Sequence, residues 1–476
     1  MSNAANETAI QRTGRRISAV IERWMPSPFL FAIILTIIVY AGGIIIEGKG
    51  PLTMLEYWNN GFWALLTFGM QMVLILATGY VLAYHPYVQR GIRWLAKLPS
   101  TGAQATVMVG VIAMVVAWIH WGLGLIVGAI LAREVGRIAH QEGMAVHYPL
   151  LGVAGYMGLG LTWHWGLSAS APLLMNTPKN VFIQQGVVSD LIPMTATVFH
   201  PYTLSLVVLG IIYTAIVLYL LSPPEEATKG ITEFVPESQL QESSEAAVDG
   251  GEEPSESDVL GSESDEQAPA DRINNARILG LLMGIAGIIM TVQAFATQGL
   301  NALNLNVVNF GFLFIGLALY TKPQAYQDQF YEAVTSTAGI ILQFPFYAGI
   351  MGMMNASGLS TTLADALIAL STPATFPVVA WITAGIANIF VPSGGGEWTV
   401  IGSTILNASQ ELNVPMGQAV VAYAVGDAHT NLFQPFWAIP LLGITGMRAR
   451  DMFGYAVTVL LFLIPFLAIA LTVIPY

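Results

Sequence analysis

The chain has 476 residues, of which 55% are hydrophobic and only 10% charged, well below the roughly 25% charged share of soluble domains. That composition indicates a polytopic membrane protein. The absence of cysteine excludes disulfides, thiolate metal sites and cysteine nucleophiles. The formal charge of -12 is local, since 15 of the 29 acidic residues lie within residues 222–271, where Lys229 is the only base.

Residues 1–27 are polar and carry Arg12, Arg15, Arg16 and Arg23. They contain no short apolar core ending at a small-residue cleavage site, so a cytoplasmic N-terminal segment is expected and not a cleaved signal. A membrane crossing needs about 20 apolar residues. On that rule crossings are expected at 28–46, 61–84, 148–177, 199–221, 276–296, 304–321, 330–354, 415–446 and 452–473. Two apolar stretches do not read as simple spans. Residues 103–137 are interrupted at Trp121-Gly122-Leu123-Gly124, and 373–412 at Pro392-Ser393-Gly394-Gly395-Gly396; each is read as a re-entrant helical hairpin. Residues 222–275, rich in Ser, Pro and acids, are expected to be a disordered cytoplasmic linker.

The expected architecture is an all-α polytopic membrane protein with about nine transmembrane helices and two re-entrant hairpins. Basic residues concentrate in cytoplasmic loops. With the N-terminus inside, every Lys and Arg except Lys49 and Lys179 falls on the inner side, and Tyr476 ends outside. A weak internal repeat supports the division. At an offset of roughly 270 residues Trp118 to Gly124 faces Asn388 to Gly394, and at roughly 263 Ser170-Ala171-Pro172 faces Phe433-Gln434-Pro435. An odd number of crossings separates the paired elements, which gives an inverted repeat. The expected units are a first membrane repeat at 28–221, an extra crossing helix at 276–303 and a second, inverted repeat at 304–476.

Irregular backbone at membrane depth is tolerated only where it is buried in protein or lines a cavity. Four segments qualify: the two hairpin tips and the broken helices at 162–172 and 426–435. Their glycines permit close backbone approach, and interrupted helices offer unpaired N–H groups to an anion. Ser168, Ser170, Ser393, Gly394, Gly395, Gly396, Gln343, Asn431 and Gln434 are therefore candidate substrate contacts. The bland reading of the glycines is close helix packing, and that of the serines is a bond back to the preceding turn.

Glu397 and Asp427 are the acids placed deepest in apolar sequence, and an intramembrane carboxyl is a functional residue by default. They are candidate ion-coupling groups for H⁺ or Na⁺, with His120 and His164 beside them. A structural pairing of Asp427 with His120, His164 or His429 is the competing reading. No cofactor and no resident metal are expected, because no histidine pair has helical ligand spacing.

At these residues the chain resembles the short-chain fatty acid transporter family of secondary carriers, over nearly its whole length. The matching text includes Phe68-Gly69-Met70-Gln71-Met72, Gln343-Phe344-Pro345-Phe346-Tyr347, Val391-Pro392-Ser393-Gly394-Gly395-Gly396 and Gln434-Pro435-Phe436-Trp437-Ala438. The resemblance implies uptake of small monocarboxylates across a bacterial cytoplasmic (inner) membrane, with the carboxylate substrate and the bilayer as partners and no nucleic acid. It leaves room for a homo-oligomer. Glu397, where histidine is frequent in that family, together with His120 and His164, departs from the pattern inside the expected site. Other readings are a carrier of another organic anion such as a dicarboxylate, a passive anion channel and an intramembrane hydrolase using Ser168 with His164. The channel reading lacks deep basic residues, and the hydrolase reading lacks the second glycine of a nucleophile elbow; the chain is read as a transporter, not an enzyme.

Overall fold

The computed structural model describes residues 28–238, 240, 268–433 and 435–476. The described residues are helical with connecting turns, as composition requires of a chain whose backbone must satisfy itself away from water. Among the described residues five helices are long and apolar enough to cross a membrane, or six if one bent pair is counted as a span.

The first half runs α1 (Pro28–Ile45), α2 (Pro51–Gly61), α3 (Leu66–Ala83), α4 (Pro86–Ala96), a hairpin of α5 (Gly102–Ile119) and α6 (Trp121–Glu142), a broken helix of α7 (Tyr148–Met157) and α8 (Ser170–Met175), and α9 (Pro201–Leu221). After the linker comes α10 (Arg277–Gln298). The order then recurs: α11 (Leu305–Tyr320), α12 (Pro323–Thr335), α13 (Ala338–Ser357), α14 (Leu359–Ala369), a hairpin of α15 (Phe376–Phe390) and α16 (Gly394–Glu411), a broken helix of α17 (Met416–Thr430) and α18 (Ile439–Thr445), and α19 (Ala449–Val473).

Several expected single spans are divided. Residues 330–354 form parts of α12 and α13, which meet at a 53° bend. There the hydroxyls of Ser336 and Thr337 donate to the carbonyls of Ala333 and Val334, the back-bonding that bends apolar helices. Residues 61–84 divide similarly between the end of α2 and α3.

α10 is the least covered of the long helices, with Ile278, Leu282, Ile289 and Val292 exposed. Its inner face is a glycine stripe. A Cβ at Gly280 would strike the Thr321 carbonyl, and one at Gly284 would lie 2.7 Å from Ala318, so the helix lies directly on α11.

The expectation of disorder from residue 222 needs correction at its start. Ile231, Val235 and Leu240 are buried, the Tyr148 amide donates to the Lys229 carbonyl at 2.8 Å, and the Lys229 amide donates to His147 Nδ1 at 3.1 Å. The apolar Ile231 and Phe234-Val235 interrupt the acidic run and dock on the start of α7, where Phe234 meets Tyr148. Residues 241–267 of the linker lie outside the described residues, as does the N-terminal segment 1–27.

Candidate functional site

The two hairpin tips are built alike. His120 caps α6 with φ -153° and ψ 110°, and Ser393 caps α16 with φ -154° and ψ 102°. Each side chain accepts the amide three residues on: His120 Nδ1 from Leu123 at 3.2 Å and Ser393 Oγ from Gly396 at 3.4 Å. The first amides of a helix lack intrahelical acceptors, and these side chains supply one. The structural equivalence therefore pairs His120 with Ser393, shifted from the sequence alignment that set Trp118 against Asn388.

In the structure His120 is a capping residue. Its ring lies edge-on to Phe312 at 4.2 Å and against Gly79, on the α3 and α11 side of the tip, while the acids gather at α16 and α17.

Ser168 also serves a tip. Its Oγ accepts the Trp121 amide at 2.9 Å and is fully buried, so a residue of the first broken helix caps the first hairpin. Asn431 is a further scaffold: its Nδ2 donates to the Leu159 carbonyl at 3.0 Å and its Oδ1 accepts from Asn388 Nδ2 at 3.0 Å. Leu159 lies in the π-helical turn Gly158–Thr162, where widened backbone frees carbonyls, and the second half of the chain satisfies one of them. Asn388 also donates to the carbonyl of Asp427 at 2.9 Å. Gln434 lies outside the described residues.

The glycine triplet begins α16 in the middle of the protein, and each member touches a different wall. A Cβ at Gly394 would lie 2.5 Å from Trp163, 2.6 Å from His164 and 2.9 Å from Asp427 Oδ2. At Gly395 it would meet Phe68 at 2.6 Å and Ser170 at 3.4 Å, and at Gly396 Tyr347 at 2.7 Å. Tyr347 in turn donates to Gln343 Oε1 at 3.0 Å. The triplet therefore brings Ser170, Gln343, Ser393, His164 and Asp427 around one helix start. Ser170 Oγ lies 3.4 Å from Met72 Sδ, a weak acceptor.

At the centre His164 Nδ1 is 2.6 Å from Asp427 Oδ2, and both side chains are fully buried. His164 Nε2 accepts the Ala171 amide at 3.2 Å. An acceptor at Nε2 places the ring proton on Nδ1, so a neutral imidazole donates to the Asp427 carboxylate. Neither ring nitrogen is left for Ser168, whose Oγ accepts the Trp121 amide instead. The pairing with His164 considered from sequence is the one the fold forms; His429 instead donates Nε2 to the Leu460 carbonyl at 3.0 Å.

Glu397, one turn into α16, is fully buried. It lies within hydrogen-bond reach of Asp427, while Tyr423, one turn before Asp427, donates to the Gly394 carbonyl at 2.7 Å and stacks obliquely on Trp398 at 4.6 Å. An aromatic wall stands beside these acids. Trp163 stacks on His164 at 4.2 Å, and Trp121 meets Trp163 at 5.7 Å and Trp437 at 5.5 Å. These indoles are buried with their N–H groups unpaired. Trp121 and Trp163 fall in the segments marked as irregular, and Trp437 falls in the matching text Gln434-Pro435-Phe436-Trp437-Ala438.

With this geometry in place, the comparisons with known proteins are decisive for kinship. The family model for the short chain fatty acid transporter matches residues 9–474. The chain belongs to the short-chain fatty acid transporter family. A relative from Escherichia coli (strain K12), provisionally named a short-chain fatty acid transporter, is 36% identical over 453 residues, covering 95% of this chain and 97% of the relative. One of the same provisional name from Haemophilus influenzae (strain Rd) is 33% identical over 467 residues, covering 97% and 99%. Among solved structures, the Alcanivorax borkumensis YdaH transporter superposes with a TM-score of 0.52 at 14% identity, covering 93% of this chain and 98% of that one. That likeness is one of fold. The chain is thus a multi-pass membrane protein of a transporter family.

Proposed function

We propose that the protein is a secondary active carrier of short-chain fatty acids or similar small monocarboxylates across the bacterial cytoplasmic membrane, coupled to H⁺ or Na⁺. The observation that carries this reading is the convergence, at one fully buried point, of a helix start, a second broken helix and the acids Glu397 and Asp427. Charged groups are costly at such depth and are found where ions or substrates pass. The recurring order of helices, with two hairpins and two interrupted helices, fits the inverted-repeat carriers whose sites lie between the halves.

In this reading the substrate carboxylate sits at the start of α16. The amides of Gly394 and Gly395 and the positive end of the helix favour an anion there. Ser393 Oγ accepts the Gly396 amide, so its own proton is available to a ligand, with Ser170 and Gln343 alongside. The buried indoles of Trp121, Trp163 and Trp437 give an apolar wall with donor groups, which suits a short acyl tail ending in a carboxylate. Asp427 and Glu397 stand close enough that an arriving anion is repelled unless a cation arrives with it, which is the physical basis of symport. Relative movement of the α15–α16 hairpin and the α17 break supplies alternating access.

The test is uptake of butyrate into proteoliposomes by the full chain and by Ser393→Trp and Asp427→Ala. Loss of at least about tenfold in both variants is the expected result; unchanged uptake in both overturns the assignment.

A further inference from the structure

Glu397 Oε1 and Oε2 and Asp427 Oδ1 are buried oxygens with no donor from the protein, although Asp427 Oδ2 is bound by His164. Most of the titratable neighbours are engaged elsewhere. His164 presents its single ring proton to Asp427 and its other nitrogen to Ala171. Tyr423, on the same helix as Asp427, donates to Gly394. Tyr347, on α13, donates to Gln343, and Tyr156, on α7, is a buried phenol without a partner. Among the described residues no arginine or lysine is buried at this point; the buried Arg137 pairs with Glu134 at 2.8 Å.

Two carboxyl groups within hydrogen-bond reach of each other, both acceptors when ionised, cannot remain so without a proton or a cation between them. Sodium would need further oxygens. The nearby carbonyls are engaged, that of Gly394 by Tyr423 and that of Gly396 by the Thr399 hydroxyl at 2.7 Å. A proton needs only the two carboxyls. We infer that Glu397 and Asp427 share one proton as the coupling site of the carrier, with His164 as the positioning residue that holds Asp427 in its receiving orientation. In symport the pair takes up its proton on the side from which the substrate anion enters, holds it while the anion is bound at the start of α16, and releases it on the other side. The step moves a proton and an anion together and transfers no electrons.

This inference rests on the carrier reading for the word coupling, but the shared proton is measurable without transport. Infrared spectra of the full chain in lipid at neutral pH should show a protonated carboxyl band that disappears in Glu397→Gln and in Asp427→Asn and persists in Glu332→Gln, a change at an exposed acid. In proteoliposomes, an inward proton gradient in sodium-free buffer should raise carrier-dependent butyrate uptake by about tenfold or more over protein-free vesicles, and a sodium gradient at equal pH should not. A band unchanged by both substitutions, or uptake driven by sodium alone, overturns the inference. If either variant fails to fold, the wild-type band and the wild-type ion dependence still decide. A carboxyl band lost as described in a protein that moves no butyrate supports the shared proton and removes the carrier reading instead.

Discussion

His164 Nδ1 and Asp427 Oδ2 lie 2.6 Å apart, joining the first broken helix to the second across 263 residues of sequence. That separation equals the offset at which Ser170-Ala171-Pro172 aligns with Phe433-Gln434-Pro435, so the two partners occupy matching positions in the two halves. The contact that ties the halves together is therefore made by one repeated position, carrying an imidazole in one copy and a carboxyl in the other.

Losing a hydrogen bond to a buried carboxyl group costs about 1.5–3 kcal/mol. His164→Ala and Asp427→Ala should each lower thermal stability in detergent on that scale. The double variant should lose less than the sum, with a coupling of about 1 kcal/mol or more. Additive losses would show that the two side chains act independently.

Gly394→Ala tests the crowding at the start of α16. A methyl group there must displace Trp163, His164 or Asp427, and such overpacking costs about 1–3 kcal/mol. Uptake should fall by about tenfold or more. Gly91→Ala, where nothing lies within 4 Å of the added carbon, should leave both stability and uptake close to wild type.

Ser168→Ala separates a cap from a substrate contact. Leaving the Trp121 amide buried without an acceptor costs about 1–3 kcal/mol. The expected signature is a lower melting temperature with the apparent affinity for butyrate changed less than about threefold. A large loss of affinity in a stable variant would return Ser168 to the substrate.

The docked start of the linker should respond to pH. His147, in the loop before α7, accepts the Lys229 amide on Nδ1, and burial, aided by Lys229, lowers its pKa from 6.5 to about 4. The native state thus holds it neutral, while the released segment would bind a proton below the ordinary histidine pKa. Docking is favoured at full strength above about pH 6.5 and weakens as pH falls toward 4, after which no further loss accrues. Limited proteolysis within residues 222–238 should accelerate over that window, and His147→Gln should flatten the dependence. A pH-independent cleavage rate would contradict the assignment.

The interruptions read at 120–124, 162–172, 392–396 and 426–435 were readable because apolar sequence has no other reason to break; each contains a break in the structure, although Gly426 to Thr430 still belong to α17 and the helix ends only there. The acids Glu397 and Asp427 were readable for the same reason, since so few charged residues occur at depth. What the sequence could not distinguish was which polar groups face one another. His120 looks like His164 in one dimension, yet one caps a helix and the other binds a carboxylate. Ser168 and Asn431 were identifiable as polar residues in a broken helix, but their partners, the Trp121 amide and the Leu159 carbonyl, are orphan groups that exist only once the helices have broken. The docking of Ile231 and Val235 was hidden by the acidic residues around them, because average composition outweighs a few apolar anchors.

The most direct test of the carrier account is the accumulation of butyrate by the full chain in proteoliposomes under an imposed ion gradient. The account predicts an internal concentration above the external one, collapsing when the gradient is abolished. Equilibration that never exceeds the external concentration, whatever gradient is applied, would contradict it.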